Sequence, residues 1–139
     1  MASIAAPAAL RRLAALVATC CAVAPFAAEP PLVVKKRTRA GQEVLLRGFA
    51  EFDGQCRLKH VQSIVVARAP TGGNVETRPG DVVIGPNWVG AGQCQGTTLP
   101  GVQVFYVPAP GFAGTDRFAL DVGYSAGRTV RADVEVEVR

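Results

Sequence analysis

The chain has 139 residues, 49% of them hydrophobic, with 15 Lys and Arg against 11 Asp and Glu and a formal charge of +4. Once a leader is set aside, that length supports one modest core and leaves no room for a second domain. Arg11 and Arg12 lie in the leader, and without them 13 basic residues face 11 acidic ones, so the remaining +2 excludes the strong basic field that marks a nucleic-acid binder.

Residues 1–28 have the composition of a secretory signal peptide. Arg11 and Arg12 form its basic region, and the apolar run from Leu13 to Val23 is too short to span a bilayer. Small residues between Ala22 and Ala28 offer cleavage points, which leaves residues 29–139 as a single exported domain, periplasmic or secreted. Val17 to Cys20, VATC, resembles the lipobox of bacterial lipoproteins, which implies lipid on Cys20 and, only in that case, attachment to a membrane. The other reading is that Cys20 and Cys21 sit in an apolar leader without further role.

The exported part keeps two cysteines, Cys56 and Cys94. An even pair outside the cytoplasm predicts a disulfide. Neither a CxxC spacing nor nearby ligands suggest redox or metal chemistry, and no cofactor or metal is expected.

Beyond the leader the apolar residues alternate or run in short β-branched blocks between Gly, Pro and Asn, so the domain reads as all-β. The predicted strands are 32–36, 43–49, 58–68, 74–77, 82–84, 102–107, 117–123 and 129–138, a number and spacing suited to a two-sheet β-sandwich. The last is the clearest: Val130, Ala132, Val134, Val136 and Val138 share one face, and Thr129, Arg131, Asp133, Glu135 and Glu137 the other. Phe118, Leu120 and Val122 repeat the pattern, and Tyr124 to Gly127 closes a hairpin with Gly127 left-handed. Pro79-Gly80, Pro100-Gly101 and Pro110-Gly111 each read as a type II turn. The long segment from Gly85 to Gly101 reads as a loop that carries Trp88 and is held by Cys94.

The segment YVPAPGFAGTDRF supplies Tyr106, Pro108, Gly111, Phe112, Gly114, Thr115, Asp116 and Phe118. It resembles the closing phrase Y-x-P-x-x-G-F-x-G-T-D-x-F of bacterial immunoglobulin-like and cadherin-like repeat domains, and Pro70, Gly72 and Val75 match an earlier turn of that pattern. The resemblance implies an immunoglobulin-like sandwich in a single copy, with these residues in turn and packing roles. Cadherin-like members carry an acidic residue and glycine in the final hairpin, where this chain has Gly123, Tyr124 and Ser125, so calcium is not expected. Asp116 reads as an acceptor for backbone amides as the chain leaves its turn, since one carboxylate cannot supply calcium's six or more oxygens. Phe112 reads as a plug at the open end of the sandwich.

His60 is the only histidine and lies in a strand-like segment without a nucleophile beside it. Glu51 and Asp53 would share a strand face, but Asp53-Gly54 signals a solvated turn. Lys35, Lys36, Arg37 and Arg39 lack interleaved aromatics, so they read as edge protection rather than a single-strand binding platform, with an anionic envelope surface as the alternative contact. Trp88 either stacks on a partner or covers the disulfide.

No nucleophile, base and orienting group can be assembled from these residues, so no catalytic residue and no enzymatic activity are expected. The sequence reads as a non-enzymatic binding or structural module whose loops meet an envelope protein or glycan. A peptidase inhibitor acting through the Pro70 to Asn74 turn is the alternative.

Overall fold

A computed structural model of the protein describes residues 29–139 apart from 62, 87 and 89. The leader, with Cys20 and Cys21, lies outside the described residues. Nine strands follow in order: β1 (Leu32–Thr38), β2 (Val44–Phe49), β3 (Glu51–Phe52), β4 (Leu58–Lys59), β5 (Ser63–Arg68), β6 (Gly73–Val83), β7 (Thr98–Pro108), β8 (Gly114–Gly123) and β9 (Thr129–Val138). One sheet has the order β1-β9-β8-β5 and the other β2-β7-β6, while β3 and β4 form a separate small ribbon. Neighbours are antiparallel except β1, which runs parallel to β9. The protein is an all-β sandwich.

Alternation builds the core. Phe118, Leu120 and Val122 of β8 and Ala132, Val134, Val136 and Val138 of β9 are buried against Leu46, Phe49, Val104 and Tyr106 of the facing sheet. Burying a side chain such as Phe118, which is fully inaccessible, contributes about 1.5–3 kcal/mol. Arg117, Asp121, Arg131 and Glu135 alternate outward and pair across β8 and β9: Arg117 meets Glu135 at 2.9 Å, and Arg131 meets Asp121. Tyr124 to Gly127 closes this hairpin, with Ala126 and Gly127 both left-handed.

Two of the three predicted Pro-Gly turns are strands. Pro79-Gly80 lies inside β6 and Pro100-Gly101 inside β7, with Gly80 directly opposite Gly101. Each proline sits where a neighbour is missing on one side: β6 is an edge strand, and β2 ends at the Phe49–Val102 pair before reaching Pro100. A proline is tolerated in a sheet under that condition. Consequently 74–77 and 82–84 join into one strand, and the long loop shrinks to residues 84–97, with a 3-10 turn at Gly92–Cys94. The predicted strand 58–68 is instead split into β4 and β5.

Pro110-Gly111 is a turn, closed by the Phe112 amide donating to the Ala109 carbonyl at 3.1 Å, with Gly111 at φ +78°. The turn delivers Phe112 onto Gly72, where a Cβ would stand 2.3 Å from the ring. Gly72→Val is therefore expected to cost about 2 kcal/mol through overpacking. Urea unfolding checks this, and the loss should shrink in a Phe112→Ala background.

Behind that turn Asp116, 1% exposed, accepts hydrogen bonds from the Thr71 amide (3.0 Å), the Gly72 amide (2.7 Å), the Thr71 hydroxyl (3.2 Å) and the Tyr106 hydroxyl (2.9 Å). The amides it receives thus come from the β5–β6 turn, not from its own turn as expected. A carboxylate beyond local reach was needed because β8 and the β5–β6 turn meet only in the folded sandwich. Tyr106 also stacks on Phe118, with ring centroids 5.6 Å apart. Burial pushes the Asp116 carboxyl up, but its four donors together outweigh burial and hold it below the usual carboxylate range. Burial first, then the hydrogen bond to Asp116 and its charge, push the Tyr106 phenol well above its usual value.

Candidate functional site

The other end of the sandwich carries the candidate site. Asp53 begins it by organising the β3–β4 turn: its carboxylate accepts from the Gln55 amide at 2.9 Å, the Arg57 amide at 3.0 Å and the Arg57 guanidinium at 2.7 Å. This turn places Cys56, at φ +61°, within 5.3 Å of Cys94 between Cα atoms, and the two are disulfide-bonded. Gln93 donates to the Gly54 carbonyl at 2.7 Å, a second tie between turn and loop. Ile84, Ala91 and Cys94 are buried together, and Phe52, Cys56, Trp88 and Leu99 pack on them as a small second core.

Trp88 is half-buried and packs on this second core beside the disulfide. It stacks on Phe52 at 6.5 Å and also faces outward into a groove of about 530 Å³. The groove lies where β1 begins, β2 ends and the β8–β9 hairpin turns. Its walls include Trp88, Phe52 and Tyr124, Phe49 lies in its floor, and Arg47 and Arg128 supply cations.

A bulge puts Arg47 there. The register between β2 and β7 slips between Leu45 and Arg47, so Leu46 and Phe49, three residues apart, are both buried. After the slip Arg47 shares a face with Phe49, two residues on, and both line the groove. The Arg47 guanidinium carbon lies 5.0 Å above the Trp88 ring. Burial lowers the pKa of Arg47 from its ordinary value, which leaves it charged but less hydrated than a surface arginine.

The other charges of the groove are paired. Arg128 reaches Glu29 at 3.0 Å and lies 5.4 Å above the Tyr124 ring. Glu51 accepts from the Ser125 amide at 2.9 Å and from the Ser125 hydroxyl, with Lys59 at 4.0 Å. Burial raises the Glu51 carboxyl, but the Ser125 hydrogen bonds with Lys59 and Arg128 bring it below the ordinary value. Glu51 is thus no solvated turn residue: it pins the β8–β9 hairpin to the β3–β4 ribbon, while Asp53 alone keeps the turn role. Arg47 makes no ion pair among the described residues.

The remaining sequence candidates lie elsewhere. His60 is exposed beyond β4 and does not line the groove. Lys35 and Arg37 lie on the exposed edge strand β1, paired with Glu135 at 4.0 Å and Glu137 at 2.9 Å, so the basic cluster is partly neutralised. Tyr106, Pro108, Gly111, Phe112, Gly114, Asp116 and Phe118 occupy the opposite end, around the Asp116 knot. The Pro70 to Asn74 turn is committed there too, through the Thr71 and Gly72 amides. Among the described residues no cluster of three or more His, Cys, Asp or Glu is placed to hold a metal ion. Arg47 had escaped sequence reasoning, because a bulge inside VLLRGF leaves no mark that alternation can detect.

Comparison with known proteins adds no relative: no family model, no curated protein and no solved structure matches the chain.

Proposed function

We propose that the protein is a secreted or envelope-associated, non-enzymatic binding module, an immunoglobulin-like sandwich that holds one end rigid for a protein or glycan partner. The observation that carries this reading is Arg47, a half-buried cation without a carboxylate, set beside Trp88 in an open groove whose other charges are satisfied. Such a guanidinium, stacked on Trp88 but without an ion pair among the described residues, keeps its in-plane N–H donors for an anion. The disulfide and the Gln93 tie support the reading as well, because they fix the loop that bears Trp88. The signal-like residues 1–28 and the disulfide both suit an oxidising compartment. The Pro70 to Asn74 turn, spent on Asp116, lends no support to peptidase inhibition.

The test separates binding from folding. Arg47→Gln is expected to leave the melting temperature nearly unchanged, since relief of a half-buried charge offsets the lost contact with the Trp88 ring. Crosslinked capture from the native envelope should lose its specific product with the same variant. Trp88→Ala should lose capture too, but with a lower melting temperature, because the ring also packs on the disulfide cluster. Capture that is equal for wild type and Arg47→Gln would remove the groove from consideration.

A further inference from the structure

The groove's chemistry narrows the class of partner. Its apolar surface comes from Phe52, Trp88 and Tyr124, since Phe49 is almost wholly buried, and among the described residues its one charge without an ion pair is the guanidinium of Arg47. Glu29 and Glu51 line it too, but each is already engaged, by Arg128 and by Ser125 with Lys59. Charge complementarity therefore asks for one anion on an apolar body. A planar guanidinium is matched best by a carboxylate, which takes two parallel N–H donors.

Three carriers of a carboxylate differ in what they need around it. A fatty acid needs an enclosed cavity for its tail, and this site is an open groove. An acidic sugar brings a ring of hydroxyls with its carboxylate and needs free polar groups to meet them, yet Glu29, Glu51 and Arg128 are already engaged with one another or with Ser125 and Lys59. The last residue of a peptide needs less: its carboxylate and side chain diverge from one Cα, so a carboxylate on Arg47 sets the side chain against apolar surface a few ångströms away, as Arg47 stands to Trp88.

We propose that the groove captures the C-terminus of a peptide or protein ending in an apolar residue, Arg47 holding the terminal carboxylate and Phe52 and Trp88 receiving the last side chain. This rests on the binding-module reading above and specifies its ligand. Capture of a C-terminal carboxylate is a recurring mode of peptide recognition, and a guanidinium fork suits that carboxylate.

Trp88 is the only tryptophan in the chain, so intrinsic fluorescence reports on the groove directly. The oxidised protein is titrated with acetyl-Ala-Ala-Leu as the free acid, with the same peptide as its C-terminal amide, and with glucuronate. The free acid should shift Trp88 emission and saturate, with the amide at least about tenfold weaker. Arg47→Gln should erase the acid-over-amide preference while keeping the wild-type melting temperature, and Arg47→Lys should restore part of it. Equal binding of acid and amide, an acid preference that survives Arg47→Gln, a response to glucuronate alone, or no response to any probe each overturns the proposal. Envelope capture that depends on Arg47 despite such a result leaves the groove as the binding site with another ligand, whereas capture indifferent to Arg47 removes the groove from the binding-module reading.

Discussion

Asp116→Asn is expected to lower the melting temperature by roughly 15 °C, about 3 kcal/mol at the midpoint for a domain of this size. The asparagine amide keeps a single acceptor oxygen where the carboxylate offers two, so it cannot serve both the Thr71 and Gly72 amides and the Tyr106 hydroxyl. At least one donor is left buried without a partner. Tyr106→Phe removes only one of the four donors and leaves the others satisfied, and should cost about 1–2 kcal/mol. Thermal unfolding of both variants checks the ranking, which reverses if the knot is incidental.

The same carboxylate gives the protein an acid limit. Its folded pKa is depressed, so its stabilisation is present above the unfolded value of about 3.9 and is lost as pH falls through the folded value. Below about pH 4 the unfolded chain takes up the proton first, and stability declines by up to about 1.4 kcal/mol per pH unit for this one group. Asp116→Asn should flatten that acid slope by one proton. Glu51, depressed in the same direction, contributes in the same window, and Glu51→Gln tells the two apart because its effect is confined to the groove end.

Replacing both Cys56 and Cys94 with serine is expected to cost about 4 kcal/mol, the loop-closure term for cysteines 38 residues apart. Denaturant unfolding measures the loss. The consequence reaches beyond stability, since Cys94 is one of the three buried residues on which Cys56 and Trp88 pack. Emission from Trp88 should move to the red in the folded double variant, and ligand response should weaken, while the Asp116 end remains intact. A variant that keeps wild-type stability and an unshifted emission would show that Gln93 and the β3–β4 ribbon suffice to hold the loop.

What the sequence made legible is what local pattern encodes. Alternation in 129–138 gave β9 its buried face, Gly111 marked its turn, and the pairing of Cys56 with Cys94 followed from their number. The failures share a physical cause, which is partnership across distance. Pro79-Gly80 and Pro100-Gly101 have the local chemistry of turns, and only the absence of a third strand beside each proline lets them extend. Glu51 is fixed by Ser125, 74 residues away, which no local spacing announces. Arg47 lies within the predicted strand 43–49, and nothing in that span announces the register slip between Leu45 and Arg47 that brings it to the groove.

The parallel pairing of β1 with β9 has a mechanical meaning. Seven residues, Leu32 to Thr38, lie in register with Ala132 to Val138, so a pull on the start of β1 against the end of β9 loads the ladder along its length. Every rung then bears the strain at once in shear, where an antiparallel pair tugged from one end would unzip bond by bond. A domain laced in this way resists stretching through its own ends, whatever tethers or drags it.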